Sequence, residues 1–332
     1  MKRNIIPSNY ESLLNVLDTQ RAIKLIKDTF EDLLAKELCL TRVSAPLFVE
    51  PSTGLNDNLN GYEKAVSFVV NENQKQLEIV QSLAKWKRYA LAKYQVTGLY
   101  TDMNAVRCFE ELDNLHSLYV DQWDWEKSIK PQERNVDTLK NIVNAIYRVF
   151  IQTYELLIKE YPVLKNGFPK KITFITTNEL EALYPKVDRK ERENLITKKY
   201  GAVFLMKIGG PLMDGLAHDG RAADYDDWEL NGDIILWYEP LQIAFELSSM
   251  GIRVNKESLI NQLKAKGEEY KLELPYHQAI LNDELPLSVG GGIGQSRLCM
   301  YLLKKIHIGE VQASYWSKED IELFEKANVF LL

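Results

Sequence analysis

Cysteine is scarce in this sequence. Cys39, Cys108 and Cys299 stand far apart and form no C-x-x-C pair, which excludes a disulfide framework and a structural zinc site as organising devices. No stretch approaches the roughly eighteen uninterrupted apolar residues that span a bilayer, and the opening MKRNIIPSNYESLL meets acidic residues before an apolar run develops. Neither a membrane span nor a secretory leader is expected, and a reducing cytoplasm fits the pattern. A basic tail is missing too: the net charge of −6 is spread along the chain, so nonspecific nucleic-acid binding has no electrostatic support. There is no GxxxxGK[ST] loop, no HExxH, no internal repeat, no low-complexity tract and no flexible linker. The economical reading is one domain over 1–332 with a helical lead over about 8–38.

What is present is ordinary globular composition, 45% hydrophobic and 27% charged, enough to bury a substantial core. Ser8 with Glu11 reads as a capping box, followed by helical spacing through Leu13, Leu14 and Leu17 and again through Ile23, Ile26, Phe30, Leu33 and Leu34. Pro51 to Gly61 has loop composition. Lys64 to Val70 and Leu77 to Val80 read as strands, and SLAKWKRYALAKY as a helix with Leu83, Trp86, Ala90 and Tyr94 three or four apart. His116 to Glu126 is extended, and Asp137 begins a long helix reaching about Tyr161. Ile172 to Thr176, Ala202 to Ile208, Asp233 to Tyr238 and Phe245 to Val254 are further strands. Strands outnumber crossovers, so the class is α+β with a mostly antiparallel sheet flanked by helices.

Four segments carry chemistry, each with an ordinary reading beside it. In LPLSVGGGIGQSRL, a short strand leads to Gly290, Gly291, Gly292 and Gly294 and then to a helix with Arg297 on its first turn. Such glycines let a backbone approach a ligand, although a plain tight turn has the same composition; a Rossmann fingerprint lacks its third glycine here. FELSSMGIRV places Glu246, Ser248, Ser249 and Arg253 in a strand whose alternation puts Glu246 and Ser248 on one face. A solvent-exposed strand with a salt bridge is the alternative. DGLAHDGRAADYDDW gathers five aspartates near Arg221 and His218, either a solvated loop or, given Tyr225 and Trp228, a packed one. AKWKR holds Lys85, Lys87 and Arg88, an amphipathic helix end or a lysine reaching into a site. The histidines read as structural.

Taken together, SLAKWKR, GLYTDM, LHSLYVDQWDWE, GAVFL, DYDDW, LNGDI, FELSSMGIRV and GGGIGQSRL, in that order from about residue 20 onward, resemble the asparagine synthetase A family. The resemblance implies a homodimer whose catalytic core is like that of class II aspartyl- and asparaginyl-tRNA synthetases. It implies that Arg297 and Arg107 contact ATP, with Arg253 beside them, and that Glu246 works with ATP and its Mg2+, Asp233 being its metal-binding companion. It places Asp57, Ser82, Lys87, Gln122, Asp124, Asp226 and Ser249 around L-aspartate. The sequence departs from the family's version after Arg107, in CFEELDN, so Glu110 receives no role.

The chemistry implied is activation of aspartate by attack on the α-phosphorus of ATP, then displacement of AMP by ammonia. Arg107 and Arg297 are the expected catalytic cations, because an arginine stays protonated and donates in a planar fork, and Asp57 is the expected acceptor of the ammonium proton. No nucleic acid or membrane partner is expected. The rival readings are a tRNA synthetase, whose anticodon-binding barrel has no room in a lead of about forty residues, and an idle paralogue acting as a binding module. A glutamine-dependent route resembles enzymes with a cysteine after Met1, where this chain has Lys2.

Overall fold

The computed structural model describes residues 4–57 and 64–332. Its first helix, α1 (Val16–Leu38), buries Ala22, Ile26, Phe30, Leu34 and Leu38 along one stripe, the spacing that keeps one helix face against a core. Asn15 caps it by accepting from the Asp18 amide. The expected helix start at Ser8 is thus corrected. The lead turns at Pro7, whose carbonyl accepts from the Tyr10 amide, and the Tyr10 hydroxyl donates to Glu310 at 2.8 Å. Packing against the far end of the chain holds this segment in place of helical hydrogen bonds.

Among the described residues, eight strands form one sheet. In chain order they are β1 (Thr41–Arg42), β5 (Gly98–Val106), β6 (Tyr119–Ser128), β7 (Thr173–Thr176), β8 (Ala202–Met206), β9 (Asp226–Tyr238), β10 (Ile243–Arg253) and β11 (Ser288–Gly294). They lie side by side as β1-β5-β6-β11-β10-β9-β8-β7, with parallel pairing only at the two edges. β2 (Phe48–Val49), β3 (Ser67–Val69) and β4 (Gln76–Ile79) make a small antiparallel sheet. Part of the Pro51 to Gly61 segment, positions 58–61, lies outside the described residues; 51–53 form a single turn of 3-10 helix.

One face of the large sheet is the core. α1 and α3 (Val136–Glu160) pack over it, with the Phe30 ring 4.7 Å from Trp123 and 5.1 Å from Phe150. Burying each such side chain contributes roughly 1.5–3 kcal/mol. The other face carries polar side chains. α2 (Ala84–Tyr94) lies beside it, and α4 (Thr177–Leu183), α5 (Arg189–Tyr200), α6 (Lys256–Lys266) and α7 (Pro275–Leu281) fill the crossovers, while α8 (Gln295–Leu303) continues directly from β11 and α9 (Lys318–Glu325) follows it.

Three sequence expectations change here. β9 begins at Asp226 rather than Asp233, so the strand takes in the Trp228 to Gly232 stretch as well. The glycine cluster is not a turn after a strand: it is the strand β11 itself, between β6 and β10. A β-bulge between Glu246 and Ser248 shifts the alternation of β10. Phe245 and Leu247, then Met250 and Ile252, pack in the core, so Ser249, not Ser248, shares the face of Glu246.

Candidate active site

Strand register orders the polar face into rows. One row runs Thr101, Asp124, Gly292, Ser249 and Asp233 across β5, β6, β11, β10 and β9. The next toward the start of β11 places Glu126 opposite Gly290, and Gly290 opposite Gly251. In the other direction lie Gln122 opposite Gly294, then Arg297 at the start of α8 and Arg107 just beyond β5. Above these rows opens a cleft of about 360 Å³. Asp57, Ser82, Lys87, Arg107, Gln122, Asp124, Asp226, Glu246, Ser249, Arg253 and Arg297 all line it. Asp233 is not on the wall; it sits behind Arg221, which is.

The floor is built from buried opposite charges. Arg253 donates through Nε to both Glu126 oxygens at 3.0 and 3.1 Å, through Nη2 to Glu126 Oε2 at 2.6 Å, and through Nη1 to Asp226 Oδ1. The Ser288 hydroxyl adds a 2.7 Å bond to Glu126. This guanidinium is committed to protein carboxylates, which fix it as a holder of Asp226. Gly290 leaves the room: a Cβ there would stand 1.9 Å from Glu126 Oε2 and 2.5 Å from Arg253 Nη2. At Gly292 a Cβ would meet Gln122 Oε1 at 2.3 Å. The glycines therefore make space for protein side chains that cross β11.

The basic run on α2 is not a solvated helix end, and of its three cations Lys87 is the one that reaches the cleft. Lys85, Lys87 and Arg88 are all buried, and each has its own acceptor. Lys85 donates to Asp224 at 3.0 Å, and Arg88 to the carbonyls of Pro286 and Val254. Lys87 donates to Asp124 Oδ1 and, at 2.8 Å, to the Gly291 carbonyl. Burial pushes the Lys87 ammonium down from its usual pKa, with Asp124 opposing that shift. Asp124 keeps its second oxygen, Oδ2, buried and without a protein partner among the described residues. The acidic segment is packed rather than solvated over its second half. Asp224 takes Lys85 and His277 Nε2 at 3.0 Å each, Asp226 takes Arg253, and Asp227 takes Arg134. Tyr225 lines the cleft between them, its phenol pushed well up by burial and by the nearby Asp57 and Asp226 carboxylates.

Asp57 is brought in by its neighbour. The Asn56 side-chain oxygen accepts from the amides of Asp57 and Gln81, at 3.0 Å each, and its amide nitrogen donates to Glu78 and the Ile79 carbonyl. That ties the loop to the start of α2, where the Ser82 hydroxyl accepts from the Ala84 amide. At the other end, Arg297 Nη1 donates to the Glu246 carbonyl at 2.9 Å and its guanidinium lies over the Phe245 ring. Arg107 Nη1 is 3.9 Å from Glu110, which also lines the cleft. Asp121 holds the start of α8 by accepting from the Ser296 amide and hydroxyl. The Glu246 side chain is exposed at the mouth of the cleft; partial desolvation there pushes its carboxyl up, but Arg297 and Arg221 outweigh it and hold it below its usual range. For Asp233 burial prevails and pushes it up to about 7, with Arg221 pulling down and the Glu246 carboxylate pushing up.

Sequence reasoning missed Glu126, Arg221, Tyr225 and Asp121. Glu126 had a signal, since its two-residue spacing from Gln122 and Asp124 puts all three on one face of β6. Arg221 lay in an acidic segment whose path the sequence does not reveal.

An antiparallel sheet that carries buried acids and cations on one face, with a glycine-rich strand feeding an arginine-bearing helix, is the architecture of a class II aminoacyl-tRNA-synthetase catalytic core. Solved structures agree in fold. Asparaginyl-tRNA synthetase of Entamoeba histolytica in complex with asparaginyl-adenylate matches with a TM-score of 0.68 and 14% identity, over 91% of this chain and 68% of that one. The Pyrococcus horikoshii asparaginyl-tRNA synthetase complexed with asparaginyl-adenylate gives 0.66 and 17%, over 89% and 68%. The aspartate-ammonia ligase family model matches residues 17–328. Proteins named aspartate–ammonia ligase from Levilactobacillus brevis and Fusobacterium nucleatum are 56% and 57% identical, the first over 99% of both chains and the second over 97% of this chain and 99% of its own. This chain belongs to the aspartate–ammonia ligase family.

Proposed function

We propose that the protein makes L-asparagine from L-aspartate and ammonia at the expense of ATP, through a β-aspartyl-adenylate, releasing AMP and pyrophosphate. The observation that supports this reading is the two-ended cleft, with an acid and ammonium set at Asp57, Lys87, Asp124 and Asp226, and with Arg107, Arg297 and Glu246 at the other end. An α-amino acid needs both charge signs around its head group. Asp124 Oδ2 is a buried acceptor suited to the α-ammonium, and the Lys87 ammonium supplies the cation for a carboxylate. Arg253 acts here as a positioning residue for Asp226 rather than as an ATP ligand. Ser82, Gln122 and Ser249 supply neutral donors and acceptors along the wall.

A carboxylate is a poor electrophile. Attack of the aspartate side-chain oxygen on the α-phosphorus converts it into a mixed anhydride, and pyrophosphate leaves. Charge builds on the α-phosphoryl oxygens, where two guanidinium forks stabilise the transition state more than the ground state. Glu246 on the cleft wall and Asp233, which Arg221 covers, are the carboxylates that would hold a magnesium ion, which keeps waters and substrate oxygens as its other ligands. When bound, it neutralises charge on the leaving pyrophosphate. Ammonia then attacks the acyl carbon and AMP departs; the nitrogen loses a proton, for which Asp57 is the acceptor. We read the enzyme as a cytoplasmic homodimer; among the described residues no helix is long and apolar enough to cross a membrane.

With ATP, magnesium, aspartate and ammonium supplied, AMP, pyrophosphate and asparagine are expected in equal amounts. Formation of ADP and phosphate instead rejects the adenylate route. Asp57→Asn separates the two halves of the reaction, because asparagine keeps the size but loses the charge and the proton-accepting capacity. With ammonium limiting, its asparagine output is expected to fall further than adenylate formation measured without ammonium. Equal losses in both rates would move Asp57 from the ammonia site to the aspartate site.

A further inference from the structure

Arg221 is a cation on the cleft wall to which the reading above gives no task. Its Nη2 donates to Asp233 Oδ1, and its Nε is buried without a hydrogen-bond partner. The carboxylates of Asp233, Asp226 and Glu246 all act on it, so it stands where the pair Asp233 and Glu246 meets the aspartate-binding end. The backbone that carries it is tied down on both sides. Before it, Arg189 donates to the Ala217 carbonyl at 2.8 Å and through Nη2 to both Asp214 oxygens, and His218 Nε2 is 3.0 Å from Glu193. After it, the Trp228 indole donates to the Ala222 carbonyl at 3.1 Å. With the backbone fastened in this way, a change of partner at Arg221 requires only its side chain to turn.

The Asp233 and Glu246 carboxylates act on one another, and a cation that both face eases that repulsion. A guanidinium and a hard divalent ion are alternatives for that place, since both bind through the same carboxylate oxygen. We propose that Arg221 alternates between two partners: it holds Asp233 until the metal–nucleotide displaces it, and then turns its planar fork onto the β- and γ-phosphate oxygens of ATP. The proposal rests on the adenylate reading, in which pyrophosphate is the leaving group. Exchange of this kind leaves the acid pair facing a cation at every stage and delivers the positive charge to the leaving group together with the nucleotide.

The test uses Mn2+ alone as probe, with binding to the nucleotide-free protein followed by electron paramagnetic resonance. Removing a competitor raises apparent affinity by the inverse of the fraction of sites it had left free, so Arg221→Gln, freeing a carboxylate that was about nine-tenths occupied, is expected to bind Mn2+ about tenfold more tightly than wild type or better. The same variant should need about tenfold more ATP for half-maximal pyrophosphate release, one charge-assisted contact having been lost. Mn2+ binding no tighter than wild type, or an unchanged ATP requirement, overturns the proposal. Arg221→Lys covers the case in which the glutamine variant folds poorly: it keeps a cation on Asp233, so Mn2+ binding stays near wild type while the ATP requirement rises, and a wild-type ATP requirement overturns the proposal equally. Wild-type products are identified on the same preparations. ADP in place of AMP strikes the adenylate reading itself, whereas AMP formation with an unaltered ATP requirement in the variants strikes only the role of Arg221.

Discussion

Gly290→Ala is expected to lose about 3–5 kcal/mol of folding stability, the cost of forcing apart a buried ion pair. The new methyl carbon falls 1.9 Å from Glu126 Oε2. Neither partner can retreat, because Glu126 is fully buried and Arg253 is 2% exposed, and Glu126 is already held by three donors of two side chains. Overpacking of this kind either breaks the pair or bends β11 away from β6. Ser288→Ala provides the graded comparison, since it removes one hydroxyl donor from the same carboxylate and should cost about 1–3 kcal/mol. Denaturant titration of both variants checks the order. A Gly290→Ala protein within about 1 kcal/mol of wild type would mean that the pair is not the rigid floor described here.

The second large effect is at Arg297. Its guanidinium is fixed by one bond to the Glu246 carbonyl and by the Phe245 ring beneath it, so its plane is set before substrate arrives. Arg297→Lys keeps the charge but loses the planar set of donors. Adenylate formation, measured as pyrophosphate release at saturating aspartate, is expected to fall by about 10²–10³, the usual consequence of removing one transition-state donor. The fold should survive, because the side chain is only half-buried and its removal empties no core. Near-normal pyrophosphate release from a folded Arg297→Lys protein would place the ATP site elsewhere.

Much of this architecture is written in local pattern. The stripe through Ile26, Phe30 and Leu34 foretells α1, and the β-rich run after Leu118 foretells β6, because both depend on periodicity alone. β5 escaped notice: GLYTDMNAV is buried over most of its length, so it lacks the alternation that marks a half-buried strand. The bulge at Leu247 could not be read either, since one extra residue in β10 is specified by its pairing with β9, not by its own composition. The same limit applies to charges. Lys85, Lys87 and Arg88 look like a solvated face in a linear reading, and only the packing of α2 against β6 and the Asp224 segment shows three buried cations that share no acceptor. The resemblance to the asparagine synthetase A family named the cleft residues, but it did not reveal that Arg253 is committed to Glu126 and Asp226, or that Arg221 lies over Asp233.

The floor of the cleft also has a history in folding. Glu126 finds its cation 127 residues further along, at Arg253, and Asp224 finds Lys85 139 residues back. Until β6, β11 and β10 are all in register, Glu126 has no counter-charge, so an incomplete sheet is electrostatically penalised at its centre. Closure of the sheet and assembly of the site are then one cooperative event. A partly folded chain has no half-made cleft.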